Sequence, residues 1–587
     1  MANFEPMSDN AFLALPRNDS RACPEEEGWQ AWSRLALAEI YGRVRQKMRS
    51  ICHRRRWVNI IVSISIVVFF FTVGGAIRHG GRTVYSMQTK RAVSSTLFAH
   101  ARRFLLGNDP PGPMNVIFIV ADDLGWSDVG FRNKYLLTPN LDRLAREGVI
   151  LNQSYVASTC SPSRAAFLTG YYPHKMGLQH RTIGMKQAKF IPLSIPTLAE
   201  ELKSRGYVTR AVGKWHLGNC NWKYTPTKRG FDSHFGYLLS SGNYYTHLCS
   251  GVHDYWNDTT PDYNHENVYS TDTFADIAVD LIRGHSATRA DPLFIYLAFT
   301  SIHGPLNPPP TRYMSTLIKD QPGFDRRATV SRMLLALDMA VGRVVNALET
   351  SGMMKNTLLV FTSDNGGAVQ TWGNNAPLRG GKFTQWEGGT RAVTFINSPM
   401  VKYPGREFNG LFHAVDWVPT ILGAVDSQMN SQPTARFTMD GLNQWDGLVE
   451  NRNGTTRKDI VYVFDEIDGT YVYRYGRFKL MVGPPVCGIY QEQWTRDHSS
   501  DPNCWFGNSY PHRRNHRCDY QLADTMLFDV VKDPEERYDL ATLKPDIVDD
   551  LKRRMQDLRK DAVPHQSELS NDITGHIIDG VLYPGWC

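Results

Sequence analysis

Apolar and polar positions alternate along residues 113–455 in a way that predicts strands and helices in turn. Continuous apolar runs, which are typical of strands buried on both faces of a sheet, lie at 115–120, 292–300, 357–363 and 391–399. Amphipathic patterns with helix start and stop signals lie at 138–149, 194–207, 326–352 and 413–425. This alternation predicts an α/β domain whose central sheet is mostly parallel and flanked by helices.

The pattern changes at residue 456. The stretch DIVYVFDEIDGTYVYRYGRFKLMVG, which starts at Asp459, contains short apolar runs joined by the turn signals DG and YG. A helical pattern follows at 543–561. Residues 456–587 are therefore predicted to form a smaller α+β domain with an antiparallel sheet, next to a large domain at 113–455.

A membrane segment is predicted before both domains. Residues 57–77 carry no charge over 21 positions, which is long enough to span a bilayer. Because the preceding flank is rich in arginine and lysine, the positive-inside rule makes 1–56 a cytosolic tail and 78–112 a lumenal linker. The chain is then a single-pass type II membrane protein of the Golgi, cell surface or lysosome. Translation from Met48 would instead make the segment a cleaved signal peptide and allow a secreted form.

Composition and cysteine content narrow the possible class of protein further. A formal net charge of +7 over 587 residues is no nucleic-acid signature, so no nucleic-acid partner is predicted. Of nine cysteines, Cys23 and Cys52 precede the membrane segment, which leaves seven, an odd number, in an oxidising compartment. Six of these seven can pair, and the count alone does not say which one is left over. Glycosylation sequons at Asn257 and Asn453 lie in polar stretches, whereas the one at Asn152 lies near a predicted core strand.

Acidic residues follow two of the predicted buried strands. Asp122 and Asp123 come after the strand at 115–120, and Asp364 and Asn365 come after the strand at 357–363. If the strands are neighbours, these side chains meet at one edge of the sheet, where oxygen ligands suit Ca²⁺ or Mg²⁺ better than Zn²⁺. The alternative is that they are ordinary turn residues.

Basic residues and histidines lie at similar positions. Lys214 and His216 are two apart in GKWHLG, so an extended chain would point both to one side, where they suit an anionic substrate and proton transfer. His303 follows the strand at 292–300, and Lys382 lies in a glycine-rich stretch. Each of these is also compatible with a structural or solvated side chain.

Cys160 begins a predicted helix, with Arg164 one turn further on the same face. Free backbone N–H groups at a helix N-terminus favour negative charge, so a nucleophile that faces an anion would gain from this setting. The alternative is a buried structural cysteine or a disulfide partner.

The segment CSPSRAAFLTG (160–170) resembles the C-x-P-S-R signature of type I sulfatases. Further segments resemble the same family: ADDLGWSDVG, VGKWHLG, PTKRGFDSHFGYL, SIHGP, TSDNGG and GNNAPLRGGKFTQWEGGTR. The resemblance covers residues 113–560 and is closest to the arylsulfatase B, I and J group. It implies the fold of the alkaline phosphatase superfamily.

The resemblance also implies a role for each matched position. Cys160 would be oxidised to Cα-formylglycine by the formylglycine-generating enzyme, and its hydrate would attack sulfur. One Ca²⁺ would be bound by Asp122, Asp123, Cys160, Asp364 and Asn365. The implied roles of the other residues are hydrate binding for Arg164, hydrate and sulfate binding for Lys214, a base for His216, an acid for His303, and sulfate binding for Lys382.

A sulfated glycan or an aryl sulfate is the implied substrate, and the subgroup suggests N-acetylgalactosamine 4-sulfate. Two alternatives stay open: a phosphodiesterase or phosphatase of the same superfamily, which would use Ser or Thr and paired Zn²⁺, and a glycan-binding protein without turnover. If Cys160 is withheld for modification, six cysteines stay available for disulfides: Cys220, Cys249, Cys487, Cys504, Cys518 and Cys587.

Overall fold

The computed structural model describes residues 114–288, 291–313, 325–429, 438–450, 457–483, 523–566 and 571–587. The predicted tail, membrane segment and linker lie outside the described residues. Within those ranges, no helix has both the length and the apolar character needed to cross a bilayer. The predicted domain boundary at 455/456 stays a prediction.

The strands, in chain order, are β1 (Asn115–Ala121), β2 (Val149–Leu151), β3 (Ser154–Tyr155), β4 (Val208–Gly213), β5 (Ser233–Gly236), β6 (Leu248–Cys249), β7 (Val252–His253), β8 (Trp256–Asn257), β9 (Thr260–Pro261), β10 (Leu293–Ala298), β11 (Thr357–Ser363), β12 (Thr394–Asn397), β13 (Arg406–Phe408), β14 (Phe412–His413), β15 (Asp459–Asp465), β16 (Thr470–Tyr475), β17 (Phe478–Val482), β18 (Thr525–Asp529), β19 (Ile577–Ile578) and β20 (Val581–Leu582). The α-helices are α1 (Pro139–Arg146), α2 (Cys160–Thr169), α3 (Leu198–Ser204), α4 (Ser270–Thr288), α5 (Asp325–Thr350), α6 (Glu387–Thr390), α7 (Trp417–Met429), α8 (Trp445–Glu450) and α9 (Pro545–Arg559).

Ten strands form one mixed sheet in the order β13-β2-β12-β11-β1-β10-β4-β5-β8-β9. The central strands β11, β1, β10, β4 and β5 are all parallel, whereas β12 runs antiparallel to β11. The predicted α/β fold with a mostly parallel sheet is therefore confirmed. The parallel part brings the carboxyl ends of four adjacent strands, β11, β1, β10 and β4, to one edge.

Both faces of the sheet are covered, as the continuous apolar runs predicted. Along β1, Val116 and Phe118 belong to one hydrophobic core, while Ile117 and Ile119 belong to another. Residues of α2, α3 and α7 fill the first core, and residues of α1, α4 and α5 fill the second. This alternation holds β1 rigidly in the middle of the molecule, because each successive side chain packs on the opposite face.

Helix ends differ from the predicted ranges for local reasons. The predicted helix at 194–207 is shorter, because it starts only after the cap residue Thr197. The Thr197 side chain accepts from the backbone N–H of Glu200, and the Glu200 side chain accepts from the backbone N–H of Thr197. The predicted helix at 413–425 begins later, because a short 3₁₀ turn precedes α7.

Strands β15–β18 form a separate antiparallel sheet in sequence order, which confirms the predicted smaller sheet. Buried charged groups lie where this sheet contacts the start of α6. The Lys479 ammonium lies 3.2 Å from Glu387 and 2.8 Å from Glu536, and none of the three side chains is exposed. The backbone N–H of Glu387 donates to the Glu536 carboxylate at 2.6 Å. These contacts hold the residues after Lys382 against the smaller sheet.

One disulfide joins Cys220 to Cys587 in the described part of the chain. Cys160 and Cys249 are buried there as unpaired thiols. The other predicted lumenal cysteines, Cys487, Cys504 and Cys518, lie outside the described residues. The pairing of Cys249 therefore stays a prediction, whereas Cys160 is unpaired as expected.

Candidate active site

The predicted site residues follow the carboxyl ends of four adjacent parallel strands. Asp122 and Asp123 follow β1, Asp364 follows β11, His303 follows β10, and Lys214 follows β4. Because β1 lies between β11 and β10, its two aspartates occupy the centre of this edge. Ligands bind at this edge in open α/β sheets.

The acidic residues are close together and buried. The backbone N–H of Asp123 donates to Asp364 Oδ1 at 3.3 Å, and the amide of Asn365 donates to Asp123 Oδ1 at 2.8 Å. One ligand atom each of Asp122, Asp123, Cys160 and His303 lies within 4.8 Å of the others. Such crowding of carboxylates is unfavourable unless cations offset it.

The amide of Asn365 fits a bound cation. Its nitrogen donates to Asp123 and to the Gly366 carbonyl, so its oxygen is the remaining polar atom. That oxygen is buried and has no hydrogen-bond partner within the described residues. An amide oxygen that receives no hydrogen bond, together with neighbouring carboxylates, supplies the ligands that an oxygen-binding ion such as Ca²⁺ prefers.

Each carboxylate also has a basic partner. Lys214 Nζ lies 2.7 Å from Asp122, and Lys382 Nζ lies 2.7 Å from Asp123. Arg164 donates from Nε and Nη2 to Asp364 Oδ2 at 3.0 and 2.8 Å. The three basic groups balance the three carboxylates, so a divalent cation would give the site a net positive charge suited to a sulfate ester.

Cys160 is the first residue of α2, whose ten residues are all buried. Its sulfur lies 3.7 Å from Asp122 Oδ1. Burial raises the pKa of the Cys160 thiol to about 12, although Lys214 and Lys382 oppose this effect. An unmodified thiol here is therefore neutral near pH 7 and a weak nucleophile.

The two histidines each use one ring nitrogen to hold their orientation. His216 Nε2 lies 2.8 Å from the Ile183 carbonyl oxygen, so this nitrogen carries the proton and donates it. Its Nδ1 is buried and has no partner among the described residues, which leaves it as a proton acceptor. His303 Nδ1 donates to the Gly304 carbonyl at 2.6 Å, and its Nε2 lies 3.7 Å from Asp123. In each ring, the second nitrogen is therefore available for proton transfer.

Burial and nearby charge act in opposite directions on the acidic groups. Burial raises the pKa of Asp122, but Lys214, His303 and Arg164 together hold that pKa below its ordinary value. The pKa of Asp364 is raised by burial and by Asp122. Burial, aided by Lys214, also lowers the pKa of His216 well below its ordinary value, so this ring is neutral.

The prediction of an extended GKWHLG segment was wrong in one respect. His216 has a φ of 59°, in the left-handed region, which turns its ring without a regular strand. Gly213, the last residue of β4, has a φ of 102°. A glycine is required there, because a Cβ would lie 1.9 Å from the Ala298 carbonyl oxygen. Trp215 is buried in the core.

A cavity of about 450 Å³, which we call the side cavity, is lined by Thr159 and Phe383, the chain neighbours of Cys160 and Lys382. It is lined by parts of 157–162, 179–182, 383–385 and 461–468. Sequence reasoning did not assign Gln179, Arg181 or Gln385 to the site. Neither the segment around Gln179 nor the segment around Gln385 shows by itself that the two line one cavity.

Known proteins resemble the chain throughout the described fold. The model of a family described as Sulfatase matches residues 114–427. Arylsulfatase J of Mus musculus is 36% identical over 498 residues, which cover 80% of each chain. N-acetylgalactosamine-6-sulfatase of Rattus norvegicus is 29% identical over 498 residues, which cover 79% of this chain and 89% of the relative.

Solved structures share the fold. The crystal structure of Ps i-CgsB in complex with k-i-k-neocarrahexaose has a TM-score of 0.64 and 26% sequence identity, and the match covers 79% of this chain and 96% of that chain. The PsFucS1 sulfatase from Pseudoalteromonas sp. has a TM-score of 0.59 at 23% identity and supports the fold alone.

Proposed function

The chain belongs to the sulfatase family and is a sulfuric ester hydrolase, and we propose that it removes sulfate from a glycan through a formylglycine at Cys160 and a bound Ca²⁺. One observation carries the proposal. Three basic side chains and three carboxylates converge beside Cys160 at a helix N-terminus, and His303 Nε2 lies 3.7 Å from Asp123 in the same group. The basic groups and carboxylates together suit attack on an anionic ester.

The residues present fit both groups. Asp122, Asp123, Asp364 and Asn365 would hold Ca²⁺, with the modified Cys160 as a further ligand. Bound Ca²⁺ would offset charge on the sulfate oxygens, and a formylglycine hydrate would supply a hydroxyl group for attack on sulfur.

The other side chains bind the ester and move protons. Arg164 holds the group at position 160 and offsets its charge, while Lys214 and Lys382 bind the sulfate oxygens. When the bond between sulfur and the leaving oxygen breaks, the doubly protonated ring of His303 donates its Nε2 proton to that oxygen, while its Nδ1–H stays on the Gly304 carbonyl. His216 Nδ1 accepts the hydroxyl proton that must leave before sulfate is released, since its Nε2 is already engaged with Ile183.

N-acetylgalactosamine 4-sulfate is the sugar that we propose. It rests on the motifs that resemble the arylsulfatase B, I and J group. A relative named N-acetylgalactosamine-6-sulfatase supports the same sugar with sulfate on another carbon. Chondroitin tetrasaccharides sulfated at either position, together with 4-nitrophenyl sulfate, form the panel that separates these substrates.

The test compares the full chain with Cys160→Ala. We expect sulfate release from the 4-sulfated tetrasaccharide by the wild type only, and mass spectrometry of the peptide spanning Cys160 should find an aldehyde in place of the thiol. Lys402→Met, a change at an exposed ion pair, is the control and should keep full activity. Sulfate release by an unmodified thiol, or none from any substrate by a modified chain, would contradict the mechanism.

We further propose that the catalytic part lies in the lumen of the secretory pathway, anchored by residues 57–77, where the formylglycine-generating enzyme is its partner. The Cys220–Cys587 disulfide supports an oxidising compartment. Protease protection of membrane vesicles tests this: residues 114–587 should be protected until detergent is added. Digestion without detergent would contradict a lumenal orientation.

A further inference from the structure

Lys382 reaches the site from residues 379–388, a segment that we call the lysine loop. The Lys382 side chain is buried, and its ammonium lies 2.7 Å from Asp123. The Gly388 N–H donates to the Arg379 carbonyl at 2.7 Å, which closes the loop. Because Lys382 follows two glycines and belongs to no strand or helix, its position depends on how the ends of the loop are held.

Both ends of the lysine loop contact one residue, Glu536, which follows β18. Near the end of the loop, the backbone N–H of Glu387 donates to the Glu536 carboxylate at 2.6 Å. At the start of the loop, Arg379 Nη1 donates to the Glu536 carbonyl oxygen at 3.2 Å. Glu536 therefore links the two ends from outside the loop, in addition to the bond that closes it.

Glu536 is held in turn by the smaller sheet. It is wholly buried, and its carboxylate lies 2.8 Å from the ammonium of Lys479 on β17. Lys479 also lies 3.2 Å from Glu387, whose carboxylate accepts from the Tyr155 hydroxyl at 2.7 Å. Hydrogen bonds between buried charged groups are strong, so they leave these side chains little freedom of movement.

The tip of the lysine loop is bonded to the large sheet's side of the site. The Lys382 N–H donates to the Gly367 carbonyl at 3.1 Å, and the Phe383 N–H donates to the Ser158 carbonyl at 2.8 Å. These bonds connect the tip to the segments that follow β11 and precede α2. The loop thus spans from the smaller sheet to the site, and a displacement of its ends would be transmitted to Lys382.

We propose that Glu536 is a positioning residue for Lys382. By tying both ends of the lysine loop to the smaller sheet, Glu536 places the Lys382 ammonium where it binds the sulfate group. It acts through the loop and not by contact with the substrate. The proposal rests on the proposed function, in which Lys382 binds sulfate, and it gives the smaller sheet a part in that binding.

The test is a double-mutant cycle in the full chain with Glu536→Gln and Lys382→Met. The two carboxylate oxygens of Glu536 face the Glu387 N–H and Lys479 separately, and an amide supplies only one oxygen. We expect Glu536→Gln to lower kcat/KM on 4-nitrophenyl sulfate at least about tenfold. In the Lys382→Met background the same change should cost less than about threefold, because the residue through which Glu536 acts is absent.

The folded state of the variant needs its own check. Glu536→Gln should fold, because Lys479 keeps Glu387 as a buried partner, and the thermal midpoint measures this. Glu535→Gln is the matched control: it removes the same charge one position earlier, from a partly exposed pair with Arg537 at 2.6 Å, and should keep kcat/KM within about twofold.

A residue that only stabilises the fold would lower activity alike in both backgrounds. A similar loss with and without Lys382, or a loss smaller than tenfold in folded Glu536→Gln, therefore overturns the proposal. If Glu536→Gln unfolds, Glu536→Asp enters the same cycle, since it keeps the charge and withdraws the carboxylate by one methylene group. Unfolding of both variants would make Glu536 a structural residue and also overturn the proposal.

Inorganic sulfate separates this proposal from the proposed function. Calorimetry measures sulfate binding by the four chains of the cycle without turnover, so it applies even if the wild type hydrolyses no substrate. We expect Glu536→Gln to weaken sulfate binding at least about tenfold when Lys382 is present and less than about threefold when it is absent. That result would support the positioning role even though the proposed reaction had failed. Equal weakening in both backgrounds, or no sulfate binding by the wild type, overturns it.

Discussion

The ammonium of Lys214 lies 2.7 Å from the carboxylate of Asp122, and neither side chain is exposed to solvent. Breaking such a buried pair leaves a charge without a partner. We therefore expect Lys214→Met to lower the free energy of unfolding of the metal-free chain by about 3–5 kcal/mol. Activity should fall at least about a hundredfold, because a group that stabilises the transition state is lost. Urea unfolding and initial rates measure the two effects.

A double variant separates stability from catalysis. Lys214→Met with Asp122→Asn removes both charges and should recover most of the lost stability but none of the activity. Lys402→Met breaks the exposed pair with Glu450, which lies at 2.8 Å, and should change stability by less than about 1 kcal/mol. A stable but inactive Lys214→Met variant would show that the pair has no structural role.

Metal removal should destabilise the folded chain. We expect the thermal midpoint to fall after treatment with a Ca²⁺ chelator and to recover with Ca²⁺, since a ligand at about 100 times its Kd adds about 2.7 kcal/mol of stability. Asn365→Leu should reduce this response, because the orphaned amide oxygen is lost. Asn346→Leu, at an exposed position of α5, is the matched control. Stabilisation by Zn²⁺ but not by Ca²⁺ would contradict the assignment of the ion.

A buried histidine should make the fold sensitive to acid. The ring of His174 stacks on Tyr172, with centroids 5.5 Å apart, and packs against Phe464 at 4.9 Å. Burial, with a smaller contribution from Lys175, lowers the pKa of His174 from 6.5 to about 3. The unfolded chain therefore binds a proton that the folded chain does not, and the stability contribution is complete above pH 6.5 and is lost as the pH falls toward 3. At pH 4.5 the loss is about 3 kcal/mol.

His174→Phe tests this effect because it keeps an aromatic ring and removes the titration. Denaturant unfolding at pH 7.5 and pH 4.5 should show a smaller acid-induced loss in the variant, by about 2–3 kcal/mol. At pH 7.5 the two proteins should differ by less than about 1.5 kcal/mol. An equal loss in both proteins would show that His174 does not contribute.

The two described sequons should differ in glycosylation. The side chain of Asn257 lies exposed on β8, whereas the amide nitrogen of Asn152 donates to Glu407 at 2.6 Å and to Asn409 at 3.0 Å. In a secreted-pathway host, we expect Asn257→Gln to remove one glycan and Asn152→Gln to remove none. Gel mobility before and after endoglycosidase treatment measures this, and an unchanged mobility of Asn257→Gln would contradict a lumenal location.

The strands of the large sheet were predictable because each is buried on both faces and therefore reads as an unbroken apolar run. The run at 115–120 became β1, whose side chains alternate between two cores. The order of the strands could not be read from the sequence, since the pairing of β1 with β10 and β11 joins residues well over a hundred positions apart. The start of α7 was misjudged because a 3₁₀ turn directly precedes this helix, and the apolar residues of the turn run into those of the helix.

The site was predictable where chemistry follows a strand end, as at Asp122 and Asp364. It was less predictable where one residue takes an unusual backbone conformation, as His216 does at a φ of 59°. The side cavity was out of reach for a different reason. Gln179 and Gln385 are ordinary polar residues in sequence, and only the fold shows that both line one cavity and that their amide oxygens have no partner in the described part of the chain.

The burial of Cys160, whose side chain is almost wholly shielded inside a helix that is itself covered, imposes an order of events on biosynthesis. A sulfate ester can enter such a site, but the active site of a modifying protein cannot close around the peptide there. The oxidation that we propose for this thiol must therefore precede tertiary closure, while the segment is still an accessible peptide. A chain that folds first would be permanently inactive, so the proportion of active molecules would be decided by competition between modification and folding during translocation.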